Sequence, residues 1–217
     1  MLNIVIAESE LELVPDEALK EKSIVESAKK RNKKPCEILL DSSHHHSAKI
    51  VDGWRRGRPD IIHITLQVLQ ESFLNHVDQL RVWVHTRNDE IISINPETRL
   101  PKNYNRFCGL IEKLFRDGII KSGDEKELLS INKQSIGDFI GQFDCKKLLA
   151  HPEGIKIREL KPERDVVVII GGFPHGGFNR EYEGIERVEV AEVELTAWAT
   201  AMEILCWYKS KGKDERV

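Results

Sequence analysis

The strongest constraint on the fold of this chain is the uninterrupted apolar run from Val166 to Ile170, which is followed directly by GGFPHGG at 171–177. Such a run predicts a buried strand, and the four glycines bring bare backbone to its carboxyl end, where a small ligand can approach closely. A tight turn is the alternative, because glycine is the usual residue wherever φ must be positive. The glycine spacing matches neither GxGxxG nor GxxxxGK[ST], so neither nucleotide-binding signature is present.

Strand-like and helix-like segments alternate along the chain, which predicts an α/β fold with a mainly parallel sheet. The patterns predict strands at 2–7, 11–14, 37–41, 80–85, 90–94, 147–150, 166–170 and 186–190. They predict helices at 15–31, 59–73, 101–117, 135–140 and 195–209, and a polar loop at 41–47. The region from about 82 to 135 interrupts the alternation, and we interpret it as an α/β insertion in a single domain of residues 1–217.

Composition excludes several classes of protein. The 217 residues contain no run of eighteen apolar residues, so we expect no transmembrane helix and no association with a membrane. The first eight residues resemble a strand and not a signal peptide. The four cysteines form no CxxC pair, which favours reduced thiols in a cytoplasmic protein. The adjacent histidines at 44–46 diverge and lack a spaced carboxylate, so we expect no metal site.

Positive charge is concentrated in two segments, although the net charge is −3. Three arginines between Trp54 and Arg58 make a locally basic surface plausible. Pro59 favours an extended backbone before it, so Asp60 can hold the Arg58 guanidinium in a bidentate pair. An arginine held in this way suits a planar base edge or a phosphate. The alternative is a local salt bridge that merely begins a helix.

The second basic segment is TRLPKNYNRF at 98–107. Lys102 and Arg106 are four residues apart on a predicted helix, so we expect them on one face. Arg99 precedes the helix start, where free backbone N–H groups favour anions. These three cations predict a site for a phosphate backbone, and an ordinary solvated helix face is the alternative.

With these segments in place, the chain resembles the small-subunit ribosomal RNA pseudouridine methyltransferase family. This family belongs to the SPOUT class, the α/β-knot methyltransferases. The resemblance rests on five stretches, which are 2–15, 40–41 with 45–48, Arg58–Ile61 with His63, 96–109 and 171–176. It implies a C-terminal trefoil knot, a homodimer, and methyl transfer from S-adenosylmethionine to N1 of a pseudouridine in small-subunit ribosomal RNA.

The resemblance also implies the roles of individual residues. The cofactor pocket would be lined by Leu149, Gly171, Gly176, Val190, Ala191, Glu192, Val193, Glu194 and Leu195. The RNA would be held by Arg58, Arg99, Lys102 and Arg106. Arg58 and Asp60 would be the catalytic pair, with Asp60 orienting Arg58. A cationic Arg58 could favour the deprotonated base electrostatically, and Asp60 acting as a general base is the alternative.

The expected substrate is a single-stranded RNA loop, because the target base must leave its stack to enter a pocket. Small-subunit ribosomal proteins are further candidate partners. Two other functions remain open. The chain could be an RNA-binding ribosome-assembly factor in which methyl transfer is secondary, or a knotted methyltransferase that acts on the ribose 2′-hydroxyl.

Overall fold

The computed structural model describes residues 1–210, and within them eight strands form one sheet. In spatial order the strands are β4 (Ile119–Lys121), β5 (Glu127–Lys133), β3 (Glu90–Ile94), β2 (Leu80–Thr86), β1 (Leu2–Ser9), β7 (Val166–Gly171), β6 (Lys146–Lys156) and β8 (Glu186–Glu189). The pairings from β2 through β1, β7 and β6 to β8 are parallel, and those among β2, β3, β5 and β4 are antiparallel. The predicted α/β fold with a mainly parallel sheet is confirmed.

The centre of the sheet is formed by β1 and β7, which run in parallel from Leu2 beside Val166 to Ala7 beside Gly171. Every side chain from Val166 to Ile170 is fully buried. A parallel strand at the centre of such a sheet is covered on both faces, so both sets of alternating side chains must be apolar. This burial explains why the run contains no polar residue.

Helices cover both faces of the sheet. They are α1 (Lys22–Lys30), α2 (Ser42–His45), α3 (Pro59–Gln70), α4 (Phe73–His76), α5 (Tyr104–Asp117), α6 (Ile136–Gly141) and α7 (Ala197–Ser210). On one face, α3, α5 and α7 pack in the larger apolar core. On the other face, α6 packs with Phe178 and Tyr182 from the segment that follows β7. No described helix is long and apolar enough to span a bilayer.

The N-terminal region differs from the sequence prediction. Residues 11–14 and 37–41 are not strands, since they share only one isolated antiparallel bridge, between Leu13 and Leu39. The helix predicted at 15–31 begins only at Lys22, after a short 3-10 turn. The predicted loop at 41–47 contains α2, which Asp41 caps by accepting a hydrogen bond from the Ser43 N–H. Val14, Ile24 and Ile38 pack in a small separate cluster, whereas Leu11 and Leu39 pack in the larger core.

The region from 82 to 135 begins in the main sheet, because β2 is the parallel neighbour of β1. The hairpin predicted at 80–94 is present as β2 and β3. Beyond it, β4 and β5 extend the antiparallel edge, and the sequence analysis missed both strands. The insertion itself stays a prediction, and residues 211–217 of the predicted domain lie outside the described residues.

Candidate active site

A cavity of about 930 Å³ opens at the ends of β7 and β8, beside residues 150–153 in the middle of β6. Its walls are residues 150–153, residues 170–171 and 173–178 of the glycine-rich loop, and the segment 189–198 that leads into α7, with Thr200 on that helix. Arg58 and Ile61, at the start of α3, complete the lining. Ligands of parallel α/β sheets bind in crevices at the carboxyl ends of strands, so this cavity is the candidate site.

The structure brings most of the predicted cofactor residues together. Gly171, Gly176 and all six residues from Val190 to Leu195 line the cavity, as does Arg58. Leu149 does not line it, because its side chain is buried in the apolar core beneath the sheet, and the adjacent Ala150 lines the cavity in its place. The roles of these residues in binding stay predictions.

Packing within the protein requires two of the four glycines of this loop. A Cβ at Gly171 would lie 2.7 Å from the Phe173 ring, and one at Gly172 would lie 2.3 Å from the Ser9 Oγ. Gly176 has a φ of +77°, which other residues rarely adopt. The Phe173 ring therefore covers the side of Gly171 that we expected to be bare for a ligand.

Arg55 fixes this loop onto the end of β1. Its guanidinium lies 4.0 Å from the centre of the Phe173 ring, and its Nη1 donates to the Gly177 carbonyl at 2.7 Å. Its Nε donates to the Glu10 carboxylate at 2.6 Å. The side chain is almost entirely buried, so these bonds form where water competes little.

The prediction of a basic surface between Trp54 and Arg58 is wrong for two of the three arginines, because Arg55 and Arg56 are buried. Arg55 is buried as described, and Arg56 makes a buried bidentate pair with Glu12, at 2.7 and 2.8 Å. The signal that could have revealed this is the alternation of Glu8, Glu10 and Glu12 at the end of an otherwise apolar strand. Carboxylates that continue the inward-facing positions of a strand need buried cations as partners.

Glu8 anchors the chain that follows the glycine-rich loop. Its carboxylate accepts the backbone N–H groups of Asn179 and Arg180, at 2.6 and 3.0 Å, and the Tyr182 hydroxyl at 3.3 Å. Its own backbone has a φ of +51°, and its N–H donates to the His85 Nδ1. A strained, fully buried acidic residue that bonds two backbone N–H groups is a positioning element that the sequence analysis did not single out.

Arg58 and Asp60 form a bidentate ion pair. The Arg58 Nε donates to Oδ1 at 2.8 Å, and its Nη2 donates to Oδ2 at 2.7 Å. The hydrogen bonds that Arg58 donates to Asp60 raise the pKa of Arg58 above its usual value, despite partial burial. Both Asp60 oxygens are thus occupied by the guanidinium, which faces the cavity while Asp60 does not line it.

The cations of the second basic segment lie outside the cavity, and all three are exposed. Helix α5 begins only at Tyr104, so the expectation that Lys102 and Arg106 share a helix face is wrong. Asn103 caps the helix by accepting the Arg106 N–H, and the Lys102 Nζ lies 3.8 Å from Glu71. The segment is held against α3 because His63 Nε2 hydrogen-bonds the Pro101 carbonyl at 2.9 Å.

The wall at 190–195 suits a ligand that has both polar and apolar parts. In the described part of the chain, the N–H groups of 191–195 make no backbone hydrogen bond. The side chains of Val190, Ala191 and Leu195 add apolar surface. Glu192 is held by Lys156 at 2.7 Å and Arg158 at 3.2 Å, and the Lys156 hydrogen bond lowers the pKa of its carboxyl. The free backbone groups can therefore bond a ligand that enters the cavity.

The mainly parallel sheet and the cavity beside β6, β7 and β8 define an α/β protein with a candidate ligand site at one edge of its sheet, as expected for the SPOUT class of α/β methyltransferases. A family model described as "EMG1/NEP1 methyltransferase" matches residues 4–209, and the chain belongs to this family.

Three known proteins illustrate the similarity. The chain is 44% identical to a protein of Thermococcus onnurineus, over 94% of this chain and 96% of the relative. It is 46% identical to a protein of Thermococcus kodakarensis, over 94% and 96%. Both relatives are named "Ribosomal RNA small subunit methyltransferase Nep1". The crystal structure of Archaeoglobus fulgidus Nep1 bound to S-adenosylhomocysteine superposes with a TM-score of 0.87, at 36% identity and over 97% of this chain and 98% of that one.

Proposed function

We propose that this protein transfers a methyl group from S-adenosylmethionine to N1 of a pseudouridine in small-subunit ribosomal RNA. One observation carries the proposal. The arginine that Asp60 holds in a bidentate pair lines the same cavity as the glycine-rich loop and the 190–195 segment. Family membership, the names of the relatives and the S-adenosylhomocysteine bound to the structural neighbour support it.

The cofactor would be held by the cavity walls. S-adenosylmethionine supplies a methyl group on a sulfonium sulfur, and no further activation by a metal is required. The backbone of Val190 to Leu195, together with Gly171 and Gly176, would bind S-adenosylmethionine. Leu149 would support the cavity from the apolar core. Since the reaction needs alignment of acceptor, methyl and sulfur, most of the acceleration would come from positioning.

Arg58 would stabilise the negative charge that develops on the base. Pseudouridine carries a proton on N1, which must leave on or before attack. A guanidinium in a partly buried cavity favours the deprotonated ring electrostatically. Because both Asp60 oxygens already accept hydrogen bonds from Arg58, orientation of Arg58 is the role for Asp60 that best fits the structure.

The RNA would be held outside the cavity by Arg99, Lys102 and Arg106, which are exposed and can reach phosphates. A single-stranded loop is the expected substrate, because the base must be splayed out to reach Arg58. Small-subunit ribosomal proteins are further candidate partners. Ribosomal RNA as the substrate and four free cysteines favour the cytoplasm as the site of action.

The experiment compares two loop RNAs that are identical except for pseudouridine or uridine at one position. We expect methylation of the pseudouridine RNA alone, with the product on the base. Equal methylation of both RNAs contradicts the proposed specificity, and a product on the sugar indicates the ribose 2′-O-methyltransferase. A Gly176→Trp variant, which fills the cofactor cavity, tests the remaining alternative of an RNA-binding assembly factor. If cells that carry this variant assemble small subunits normally, RNA binding and not methyl transfer is the main task of the protein.

Asp60→Asn tests the assignment of Asp60. An asparagine keeps one hydrogen bond to Arg58 and cannot take up the N1 proton at neutral pH. We expect a loss of about tenfold in the methylation rate with an unchanged pH profile, in line with the loss of one oriented charged contact. Loss of an acidic limb from the pH profile would assign Asp60 as the general base.

We also propose a homodimer. Val193 at the cavity and Met202 on α7 have exposed fractions of 69% and 52%, which a second copy could cover. Sedimentation at micromolar concentration should give twice the mass of the chain, and a monomer would contradict this assignment.

A further inference from the structure

A tryptophan ring is exposed beside the glycine-rich loop. Trp54 belongs to the turn at 50–56 that precedes Arg58, and its exposed fraction is 64%. Within the described residues 1–210, its ring stacks on no other aromatic ring. A single exposed apolar side chain is common on protein surfaces, so the place and the rigidity of this ring decide whether it has a function.

The ring adjoins the candidate active site from outside. A Cβ at Gly176 would lie 3.4 Å from the Cη2 of Trp54 and 3.8 Å from its Cζ3, so the outer edge of the indole lies against this glycine. Gly176 lines the cavity together with Arg58, whereas Trp54 does not line it. The Cα atoms of Trp54 and Arg58 are at most about 14 Å apart, because four residues span no more than that when extended. A nucleotide beside one that occupies the cavity is therefore within reach of the ring.

The turn that carries Trp54 is fixed on both sides of the ring. On one side, the Asp52 carbonyl accepts the N–H groups of Arg55 and Arg56, at 2.9 and 3.2 Å, and its carboxylate lies 3.6 Å from the Arg87 guanidinium. On the other side, Arg55 and Arg56 are buried in ion pairs with carboxylates. An aromatic side chain on a rigid turn loses little conformational freedom when a partner binds, so this ring is preorganised for a contact.

The surroundings of the ring favour a flat, uncharged partner. Arg55 and Arg56 are neutralised by Glu10 and Glu12, so these neighbours of Trp54 offer no free cation to a phosphate. An indole presents a flat π surface on which nucleobases stack. The adenine of the cofactor would be inside the cavity, which Trp54 does not line. A base of the RNA is therefore the partner that suits this ring.

We propose that Trp54 is a stacking platform for a nucleotide of the RNA that flanks the methylated base. The proposal rests on the proposed function, because it takes the RNA as the ligand and the cavity as the place of the target base. Stacking accepts any base, so Trp54 fixes the position of the strand and not its sequence. The flanking base must be unstacked from its neighbours to reach the ring, which agrees with a single-stranded loop as the substrate.

The test compares Trp54→Ala with the conservative Trp54→Phe, and uses Val51→Ala as the matched control. Val51 is in the same turn, is 69% exposed, has no ring and does not line the cavity. The pseudouridine loop RNA is prepared intact and with one abasic site at each flanking position in turn. We expect one abasic position to weaken RNA binding to the wild type about tenfold, the effect of losing one stacked base.

Trp54→Ala should bind intact RNA about tenfold more weakly and should be insensitive to that abasic site. Trp54→Phe should retain most of the affinity, because it keeps an aromatic face, and Val51→Ala should behave as the wild type. The slope of log affinity against log salt should be unchanged in Trp54→Ala, since stacking neutralises no phosphate. Equal affinities of Trp54→Ala and Val51→Ala, or an abasic effect that persists in Trp54→Ala, would overturn the proposal.

Two further measurements test the other roles that the ring could have. The affinity for S-adenosylhomocysteine and the mass in sedimentation should be the same in Trp54→Ala and in the wild type. A weaker affinity for S-adenosylhomocysteine would assign the ring to support of the glycine-rich loop, and a changed mass would assign it to contact with a second copy. Either result contradicts the stacking role.

Methylation of the intact RNA by the wild type in the same assay reports on the proposed function separately. Methylation without any effect of Trp54→Ala on RNA binding contradicts the stacking role alone. An abasic effect that disappears in Trp54→Ala, without methylation by the wild type, contradicts the proposed function alone.

Discussion

Arg55, Arg56 and Arg58 lie within four positions, yet their surroundings give them different tasks. Arg55 and Arg56 are buried against carboxylates of the β1 end, whereas Arg58 is partly exposed at the cavity. A charge in the interior is tolerated only where a partner and hydrogen bonds replace its water. The carboxylates at and after the end of β1 supply them, so these two arginines fix the loops, whereas Arg58 is left facing the cavity.

Arg55→Met should destabilise the protein strongly. The substitution leaves buried carboxylates with one cation fewer and removes the bond to the Gly177 carbonyl, so we expect a loss of about 3 kcal/mol in the free energy of unfolding. We also expect weaker binding of S-adenosylhomocysteine, because the glycine-rich loop is released. Arg81→Met is the control, since it removes a surface pair with Asp78 that contributes at most about 1 kcal/mol. Equal losses in the two variants would show that Arg55 does not fix the glycine-rich loop onto the end of β1.

His85 predicts a pH dependence of stability. Burial lowers the pKa of this imidazole in the folded state, which opposes protonation, although the Asp89 hydrogen bond acts the other way. The unfolded chain therefore binds more protons, so stability is full above the unfolded pKa of about 6.5 and falls as the pH drops below it. The slope contributed by this residue is at most about 1.4 kcal/mol per pH unit.

Denaturant titrations between pH 7.5 and 5 would measure this slope in the wild type and in His85→Gln. We expect a shallower slope in the variant, whatever its absolute stability. An identical slope would show that the other acidic and histidine groups carry the whole pH dependence.

At the level of elements, the loop after β7 is specified by glycines that serve different needs. The Cβ position of Gly172 is occupied by Ser9 and Ile6 of the neighbouring strand, whereas that of Gly177 has no atom within 4 Å. Close packing between β7 and β1 therefore depends on one of these glycines and not on the other.

Gly172→Ala should cost about 1 to 3 kcal/mol of unfolding free energy, because the added methyl group forces the end of β1 to shift. Gly177→Ala should stay within about 0.5 kcal/mol of the wild type. Thermal and denaturant unfolding of the two variants side by side provides the measurement. A destabilised Gly177→Ala with an unaffected Gly172→Ala would contradict this account of the loop.

Element starts and ends show where local signals are sufficient. Pro59 begins α3 as its position indicated, and Gly118 ends α5 with a φ of +76°. The start of α5 was misplaced, because Pro101 was taken as its first residue, whereas Asn103 is the residue that caps it. A proline restricts φ in a turn as well as in a first helical turn, so this signal alone cannot locate the cap.

At the level of the whole molecule, the net charge says little about RNA binding because many charges neutralise each other inside. Glu8, Glu10 and Glu12 are buried with Arg55 and Arg56, and the buried Glu112 pairs with the partly exposed Arg31 and Lys33. The field that RNA would meet is set by the cations that remain exposed, among them Arg99 and Arg106.

Arg106→Ala should reduce the dependence of RNA affinity on salt. Each phosphate contact contributes about 0.7 to 0.9 to the slope of log affinity against log salt, so the slope should fall by about that amount. Arg116→Ala is the control, because Arg116 is at the opposite end of α5 and pairs with Asp117. Filter binding between 50 and 300 mM salt gives both slopes, and an unchanged slope in Arg106→Ala would remove this residue from the RNA site.

The sequence by itself determined the features that depend on neighbours in the chain. These include the buried strand at 166–170, the hairpin of β2 and β3, the start of α3, and the pairing of Arg58 with Asp60 two residues away. Burial pattern and short-range geometry depend on residues that are close in the sequence, so they can be predicted from sequence patterns.

The meeting of segments near 150, 171 and 190 at one cavity was implied by the family resemblance and by no pattern in the residues alone. Only the tertiary structure decided which arginines are buried and that β4 and β5 join the sheet. It also placed the ring of Trp54 against Gly176. These outcomes depend on the spatial order of strands and on partners far away in the chain, such as Glu10 and Arg55. The energy of such a pair depends on burial that neither residue specifies alone.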